Sequence, residues 1–139
     1  MLIMMDIAPR ALRAFDKWGE AAGAGFQLVP DLLLKNQANL DLTSTDMLVL
    51  LNVLMHWWYR DQRPFPRSTT IAARMNVEPR TVQRSLAKLE ELGLMHRVTE
   101  ELPDGDERRV CDPTGLKRKL EEFAKLSVGS NKEKNDHAL

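Results

Sequence analysis

The stretch from Arg67 to Met95, RSTTIAARMNVEPRTVQRSLAKLEELGLM, constrains the fold of this chain more than any other part of it. Ser68 is a favourable N-cap, because its hydroxyl can satisfy an unpaired backbone N–H, so a helix is predicted from about Thr69 to Met75. Asn76 tolerates the left-handed backbone that often ends a helix. Pro79 suits the first position of a second helix, since its φ is preset and its missing N–H needs no partner there. The pattern predicts two helices joined by a short turn.

The second helix is predicted to run from Pro79 to Leu92, with Gly93 as its left-handed stop. Its core-facing stripe is formed by three apolar residues with helical spacing: Val82, Leu86 and Leu89. At about 100° per residue, three cations lie on the opposite side: Arg80, Arg84 and Lys88. Thr81 lies on the same flank and Gln83 towards its edge. Such side chains match the base edges and phosphates of a DNA major groove, and a solvated basic face is the alternative interpretation.

The segment FPRSTTIAARMNVEPRTVQRSLAKLEELGLM resembles the winged helix-turn-helix domains of bacterial transcription regulators, especially the GntR type. It is also similar to helix-turn-helix domains of phage and plasmid replication proteins. The matching residues are Ile71-Ala72, the turn around Val77, Thr81-Val82, Arg84, Leu86, Leu89-Glu90 and Gly93-Leu94. A looser similarity extends from Leu40 to Asp112. The resemblance implies binding to double-stranded DNA.

Two positions depart from the pattern of that family. GntR-type wings commonly carry a Gly-Arg-Gly segment, whereas three acidic residues precede two arginines between Leu102 and Arg109. This composition argues against a wing tip that grips phosphate. Glu78 stands where many relatives place Ser or Thr; it could accept from a cytosine amino group, but we expect it to cap the second helix.

The flanking segments complete a winged helix in the sequence pattern. Thr43 to Asp46 is a capping-box variant that precedes an apolar run, as expected for the buried first helix of a three-helix core. Leu94 to Val98 and Arg109 to Cys111 are candidate strands joined through Asp104-Gly105. Asp112-Pro113 then starts a helix to about Leu126. The predicted fold is mainly α with a small β-hairpin, a winged helix-turn-helix with N- and C-terminal helical extensions.

The predicted organisation has four parts: an N-terminal helical extension (1–39), the winged helix-turn-helix domain (40–112), a C-terminal helix (113–126) and a flexible tail (127–139). In the extension, a helix is expected from Pro9 to about Ala22, with Leu12, Phe15 and Trp18 on roughly one face. This helix is expected to pack against the core or, together with the C-terminal helix, against a second subunit. Trp57, Trp58 and Tyr59 are interpreted as core or interface residues.

Composition excludes several other classes of protein. The chain has 20 basic and 20 acidic residues and a net charge of zero, so its total charge gives no support to nucleic-acid binding. The segment from Arg60 to Arg97 has a local excess of cations, which predicts salt-sensitive binding. Met1 to Met5 is too short for a signal or membrane segment. Cys111 is the single cysteine of the chain, so disulfides are not expected. Because proteins without disulfides are typical of reducing compartments, a cytoplasmic protein is predicted.

Catalytic and metal-binding patterns are not found in the sequence. The three histidines have no metal-ligand spacing, and the acidic cluster at Asp104, Asp106 and Glu107 is interpreted as a solvated turn rather than a cation site. No enzymatic activity, cofactor or metal is expected, and the sequence identifies no small-molecule effector.

The main expectation is a transcription regulator that binds DNA as a homodimer, with one recognition helix per half-site. Base edges are expected to face Arg80, Thr81, Gln83 and Arg84. Phosphates are expected to contact Arg67, Ser68, Thr69, Lys88 and Arg109. The alternatives are the DNA-binding module of a phage or plasmid replication initiator and a winged helix used for protein contacts.

Overall fold

The computed structural model describes residues 12–57, 64 and 67–134, with side chains described as far as 126. The described chain begins in helix α1 (12–18). The elements that follow are α2 (Glu20–Gly23), α3 (Asp31–Lys35), α4 (Ser44–Leu54), α5 (Ser68–Met75), α6 (Pro79–Glu91), β1 (His96–Glu101), β2 (Glu107–Asp112) and α7 (Thr114–Lys134). The predicted winged helix-turn-helix architecture is confirmed: α4, α5 and α6 form the three-helix core, and β1 and β2 form the wing.

The first core helix, α4, begins at the predicted capping box. The Thr43 hydroxyl accepts a hydrogen bond from the Asp46 N–H (3.1 Å), and the Thr43 N–H donates to the Asp46 carboxylate (3.0 Å). These two bonds satisfy backbone and side-chain groups that the start of a helix would otherwise leave unpaired. Val49, Leu50 and Val53 are fully buried against the other core helices. The sequence prediction of a buried first helix is therefore correct.

The turn between α5 and α6 also has the predicted backbone. Asn76 adopts the left-handed conformation (φ 55°), and the Val77 N–H donates to the Ala72 carbonyl at 3.0 Å. Val77 is partly buried against the core. The predicted N-cap at Ser68 is wrong by one residue, because Ser68 is already helical and Arg67 has the extended backbone of the cap position.

Glu78 occupies the N-cap position of α6, but its carboxylate makes no capping hydrogen bond. The Thr81 N–H, one of the donors that a capping side chain would take, instead bonds to the Glu78 backbone carbonyl at 2.9 Å. The expected side-chain cap is therefore wrong, although Pro79 does open the helix.

The turn at Gly93 ends α6 and leads directly into the wing. Gly93 has φ 73°, and the Leu94 N–H donates to the Leu89 carbonyl at 3.0 Å, which closes the helix in a Schellman arrangement. Leu94 is therefore part of the helix stop, and β1 begins two residues later than predicted. The strands are antiparallel, pair Val98 with Val110, and run closer to the turn at Gly105 than the sequence indicated.

Helix α7 is longer than predicted. It begins at Thr114, whose N–H donates to the Asp112 carboxylate (3.0 Å), and continues to Lys134. The predicted helix end near 126 is thus too early, because 127–134 are helical. The flexibility of the tail stays a prediction, and 135–139 lie outside the described residues. The apolar stripe does end near 126, since Leu126 is 75% exposed. Periodicity reports which residues are buried, whereas helical backbone hydrogen bonds are local and persist without burial.

The N-terminal extension is broken earlier than predicted. Gly19, with φ 61°, interrupts the helix before Ala22, and Pro30 opens the expected short helix α3. Pro9, Trp58 and Tyr59 lie outside the described residues. None of the described helices is both long and apolar enough to span a bilayer.

Candidate nucleic-acid interface

Helix α6 has one face in the core and one face in solvent. Val82 and Leu89 are fully buried, and Leu86 is nearly so, which fixes the rotation of the helix about its axis. The opposite side presents Arg80, Gln83 and Arg84 as exposed residues, with Thr81 half-buried at the edge. The apolar anchors therefore hold cationic and amide side chains outward on a rigid element.

Lys88 does not belong to this exposed face. Its ammonium lies 2.6 Å from the Asp46 carboxylate, and the Ser85 hydroxyl donates to the same carboxylate at 2.8 Å. The sequence grouped Lys88 with Arg80 and Arg84, and the structure separates them. Lys88 lies about 40° from Arg84 and about 60° from the buried Ser85 around the helix, so it stands at the edge of the exposed face. From there its ammonium reaches the Asp46 carboxylate on α4. In the structure Lys88 forms an intramolecular ion pair, and its phosphate contact stays a prediction.

The charge state of this ion pair follows from its surroundings. Burial raises the pKa of Asp46, but hydrogen bonds from Lys88, Thr43 and Ser85 outweigh that effect and lower the pKa to about 2. The hydrogen bond to Asp46 raises the pKa of Lys88 in turn. Both groups are therefore charged at neutral pH, and the positive charge of Lys88 is neutralised within the protein.

A small cleft brings together three of the residues that were predicted to contact DNA. Ser68 from the start of α5, Gln83 from α6 and Arg109 from β2 line a space of about 370 Å³. The remaining lining residues are Leu86, Arg97, Val110 and Cys111. Residues that are distant in sequence thus form one polar surface beside the exposed face of α6.

Arg97, also in the cleft, has its own partner. Its guanidinium lies 3.1 Å from the Glu90 carboxylate, and its backbone N–H donates to the other oxygen at 3.2 Å. The backbone hydrogen bond, followed by the side-chain one, lowers the pKa of Glu90. Arg97 therefore joins α6 to β1 and leaves Arg109 as the cation with free hydrogen-bonding capacity in the cleft.

The start of α5 adds backbone donors to the same surface. Arg67 provides no side-chain cap, and Ser68 and Thr69 occupy the first turn. The first N–H groups of a helix lack intrahelical acceptors and carry partial positive charge, so they favour anions. This end of α5, with Arg67, Ser68 and Thr69, can therefore donate hydrogen bonds to an anion such as a phosphate oxygen. Arg109 lies on the wing side of the same cleft.

The wing itself is largely neutralised or acidic. Arg108 forms a cross-strand ion pair with Glu100 at 3.0 Å, and Asp104 accepts from the Asp106 N–H in the exposed turn. Within the described residues 67–112, five arginines make no ion pair: Arg67, Arg74, Arg80, Arg84 and Arg109. The available positive charge therefore lies on α5, α6 and the second strand rather than at the wing tip.

Reactive and metal-binding groups are not assembled here. Cys111 is buried, and burial raises the pKa of its thiol to about 11, so the protonated form dominates at neutral pH. No group of three His, Cys, Asp or Glu side chains suited to a metal ion occurs among residues 12–57, 64 and 67–126.

Sequence reasoning missed the role of Asp46 and Ser85. The signal that was present is Ser85, a polar residue on the core-facing side of α6 between Val82 and Leu89. A buried hydroxyl needs a partner, but nothing in the sequence identifies that partner as a carboxylate on another helix.

Residues 40–95 match a family model described as a helix-turn-helix domain, a stretch that contains α4, α5 and α6 and stops before the wing. No curated protein matches the chain. Among solved structures, it is similar to a possible transcriptional regulator from Methanosarcina mazei Go1, with 16% identity over 72% of this chain and 82% of that chain and a TM-score of 0.43. On the family match, residues 40–95 form a helix-turn-helix domain, and the GntR character of the chain stays a prediction.

Proposed function

We propose that this protein is a sequence-specific double-stranded DNA-binding protein that regulates transcription and places α6 in the major groove. The single observation that carries the proposal is the division of α6 into a buried apolar face and an exposed face with Arg80, Gln83 and Arg84. This helix is the second of a helix-turn-helix, the position at which such domains present a recognition helix to base edges.

The proposed contacts divide into two groups. Arg80, Thr81, Gln83 and Arg84 face base edges, where arginine pairs with guanine and glutamine with adenine. Arg67, Ser68, Thr69 and Arg109 hold phosphates on the α5 side of the groove. Support for the second group comes from the cleft that Ser68, Gln83 and Arg109 share. Lys88 is not included, because its charge is taken up by Asp46.

Two other functions are favoured by particular features. The buried apolar α4 suits the DNA-binding module of a phage or plasmid replication initiator, which the sequence also resembles. The net charge of zero and the paired arginine of the wing suit a winged helix that contacts another protein. The arrangement of bound DNA sites separates the first two: palindromic half-sites indicate a regulator, whereas iterated repeats indicate an initiator.

Selection of bound sequences from a pool of random duplex DNA tests the proposal. At low salt we expect enrichment of a defined sequence, because the exposed face of α6 offers directional hydrogen bonds as well as charge. Failure to enrich any sequence, with no retention of duplex DNA at low salt, would contradict the proposal and favour the protein-contact function.

A further inference from the structure

An apolar groove runs along the side of the molecule formed by α3, the end of α4 and α7. It encloses about 610 Å³ and is lined mainly by apolar side chains, among them Phe26, Leu28, Leu33, Leu54, Leu116 and Leu120. Leu28 is 61% exposed and Met55 37% exposed at this surface. A groove of this size and composition has the character of a binding site for an apolar partner.

The N-terminal helix α1 carries a matching surface without a partner. Leu12 is 70% exposed, Phe15 49% and Trp18 63%. Their spacing of three residues places them on one side of the helix. Within the same chain, the ring of Phe15 packs edge-on against Phe26 at the groove, with 6.2 Å between ring centroids. Leu12, Trp18 and about half of Phe15 are thus left in water next to an open apolar groove.

We propose that the groove receives the apolar face of α1 from a second copy of this chain, in a reciprocal exchange that forms a homodimer. The position of α1 in its own chain explains why the partner is a second copy. There α1 touches the groove through the ring contact between Phe15 and Phe26 and leaves Leu12 and Trp18 exposed beside it, so this apolar face is available to a second copy. Gly25, at φ 116°, lies between α1 and the groove-lining segment from Gln27 to Pro30 and gives the backbone a conformation that other residues rarely adopt.

The area involved decides between one-sided and reciprocal docking. An aromatic side chain presents about 150–250 Å², so the exposed parts of Phe15 and Trp18 together with Leu12 amount to roughly 400 Å². Docking one such face also covers a similar area of the groove, so one docking buries roughly 800 Å² in total, below the ~1,200 Å² at which stable interfaces begin, and supports only weak association. Two symmetric dockings bury roughly 1,600 Å² in total, which is a standard interface size. The exchange is therefore isologous, with each copy supplying one helix and one groove.

Sedimentation velocity of the full chain without DNA tests this proposal. Trp18→Glu removes the helix contribution and Leu28→Glu the groove contribution. Leu34→Glu is the matched control, because Leu34 is 68% exposed but does not line the groove. Between about 1 and about 100 µM, the unchanged protein and the control should form dimers, whereas each of the other two variants should sediment as a monomer with an unchanged circular dichroism spectrum.

An equimolar mixture of Trp18→Glu and Leu28→Glu makes the test specific. The intact α1 of one variant can dock in the intact groove of the other, so association should return at an affinity at least tenfold weaker than that of the unchanged protein. A mixture that stays monomeric would overturn the proposal. So would an unchanged protein that is monomeric throughout, as expected if its own α1 or a small apolar molecule occupies the groove. Because no DNA is present, these results are independent of the proposed DNA contact.

Discussion

Asp46 carries more interactions than any other polar residue of the described core. Its carboxylate completes the capping box with Thr43, accepts the Ser85 hydroxyl and pairs with Lys88. One side chain therefore fixes the start of α4 against the middle of α6, the helix that we propose reads DNA. The capping box can be predicted from the sequence because Thr43 and Asp46 are only three residues apart. The bond between Asp46 and Lys88 cannot be predicted in this way, because 42 residues separate them.

The stability conferred by Asp46 should depend on pH. Its pKa is lowered from 3.8 to about 2 in the folded protein, so the stabilisation is fully present above pH 4 and is lost as the pH falls to about 2. Asp46→Asn should therefore lower the free energy of unfolding by about 2 kcal/mol at pH 7, with the difference from the unchanged protein disappearing near pH 2. Urea unfolding at several pH values measures this. Asp16→Asn, at an exposed position, is the control and should leave the free energy of unfolding at pH 7 close to that of the unchanged protein. An equal loss at every pH for Asp46→Asn would show that the carboxylate charge of Asp46 is not responsible.

Lys88 and Arg109 should differ in their effect on DNA binding. Arg109 has no ion pair among the described residues, so Arg109→Ala should reduce the slope of log affinity against log salt by ~1. Lys88→Met should leave that slope unchanged, because the ammonium is neutralised by Asp46. Fluorescence anisotropy titrations over a range of salt concentrations compare the two variants, and a reduced slope for Lys88→Met would place Lys88 at the DNA after all.

At the scale of elements, α7 is joined to the helix-turn-helix through a close contact between two glycines. A Cβ on Gly115 would overlap the carbonyl of Gly93, and the Leu116 N–H donates to the Leu94 carbonyl at 2.8 Å. Helix α7 thus packs directly on the backbone that ends α6 and begins the wing. Only glycine permits this approach.

Gly115→Ala should destabilise the protein, although alanine normally favours a helix over glycine by about 0.5–1 kcal/mol. The added methyl group meets backbone rather than a flexible side chain, so α7 must shift away from Gly93. We expect a loss of more than about 1 kcal/mol in the free energy of unfolding. Thermal unfolding measures it, with Gly23→Ala as the control, since a Cβ there would meet only ordinary contact with the Phe15 ring. An unchanged or raised midpoint for Gly115→Ala would contradict the close approach.

The elements show which parts of the fold are readable from sequence. Asn76, Pro79 and Gly93 mark the ends of helices through their own backbone preferences, and the structure has those ends where they were predicted. Errors occurred where backbone pairing continues beyond the apolar pattern. The hairpin extends through the polar pair Glu100 and Arg108, and α7 continues beyond its last apolar contact because helical hydrogen bonds are local. The cleft that joins Ser68, Gln83 and Arg109 has no local sequence signal at all.

At the scale of the whole molecule, net charge conceals where the positive charge is available. The chain has equal numbers of acidic and basic residues, yet its ion pairs neutralise Lys88, Arg97 and Arg108. The unpaired arginines that remain in the described domain lie on α5, α6 and β2. A surface suited to DNA can therefore coexist with zero total charge, and the acidic wing tip limits the orientations in which a phosphate backbone can approach.

The central claim is that the exposed face of α6 reads base sequence, and the affinity of Arg84→Ala for selected and unrelated duplexes tests it most directly. Arg118→Ala, an exposed cation of α7, is the control. We predict that Arg84→Ala loses ~1–3 kcal/mol of discrimination between the two duplexes, whereas the control keeps the discrimination of the unchanged protein. Equal losses of affinity for both duplexes upon Arg84→Ala would mean that Arg84 contributes charge without reading sequence, and would contradict the proposed recognition helix.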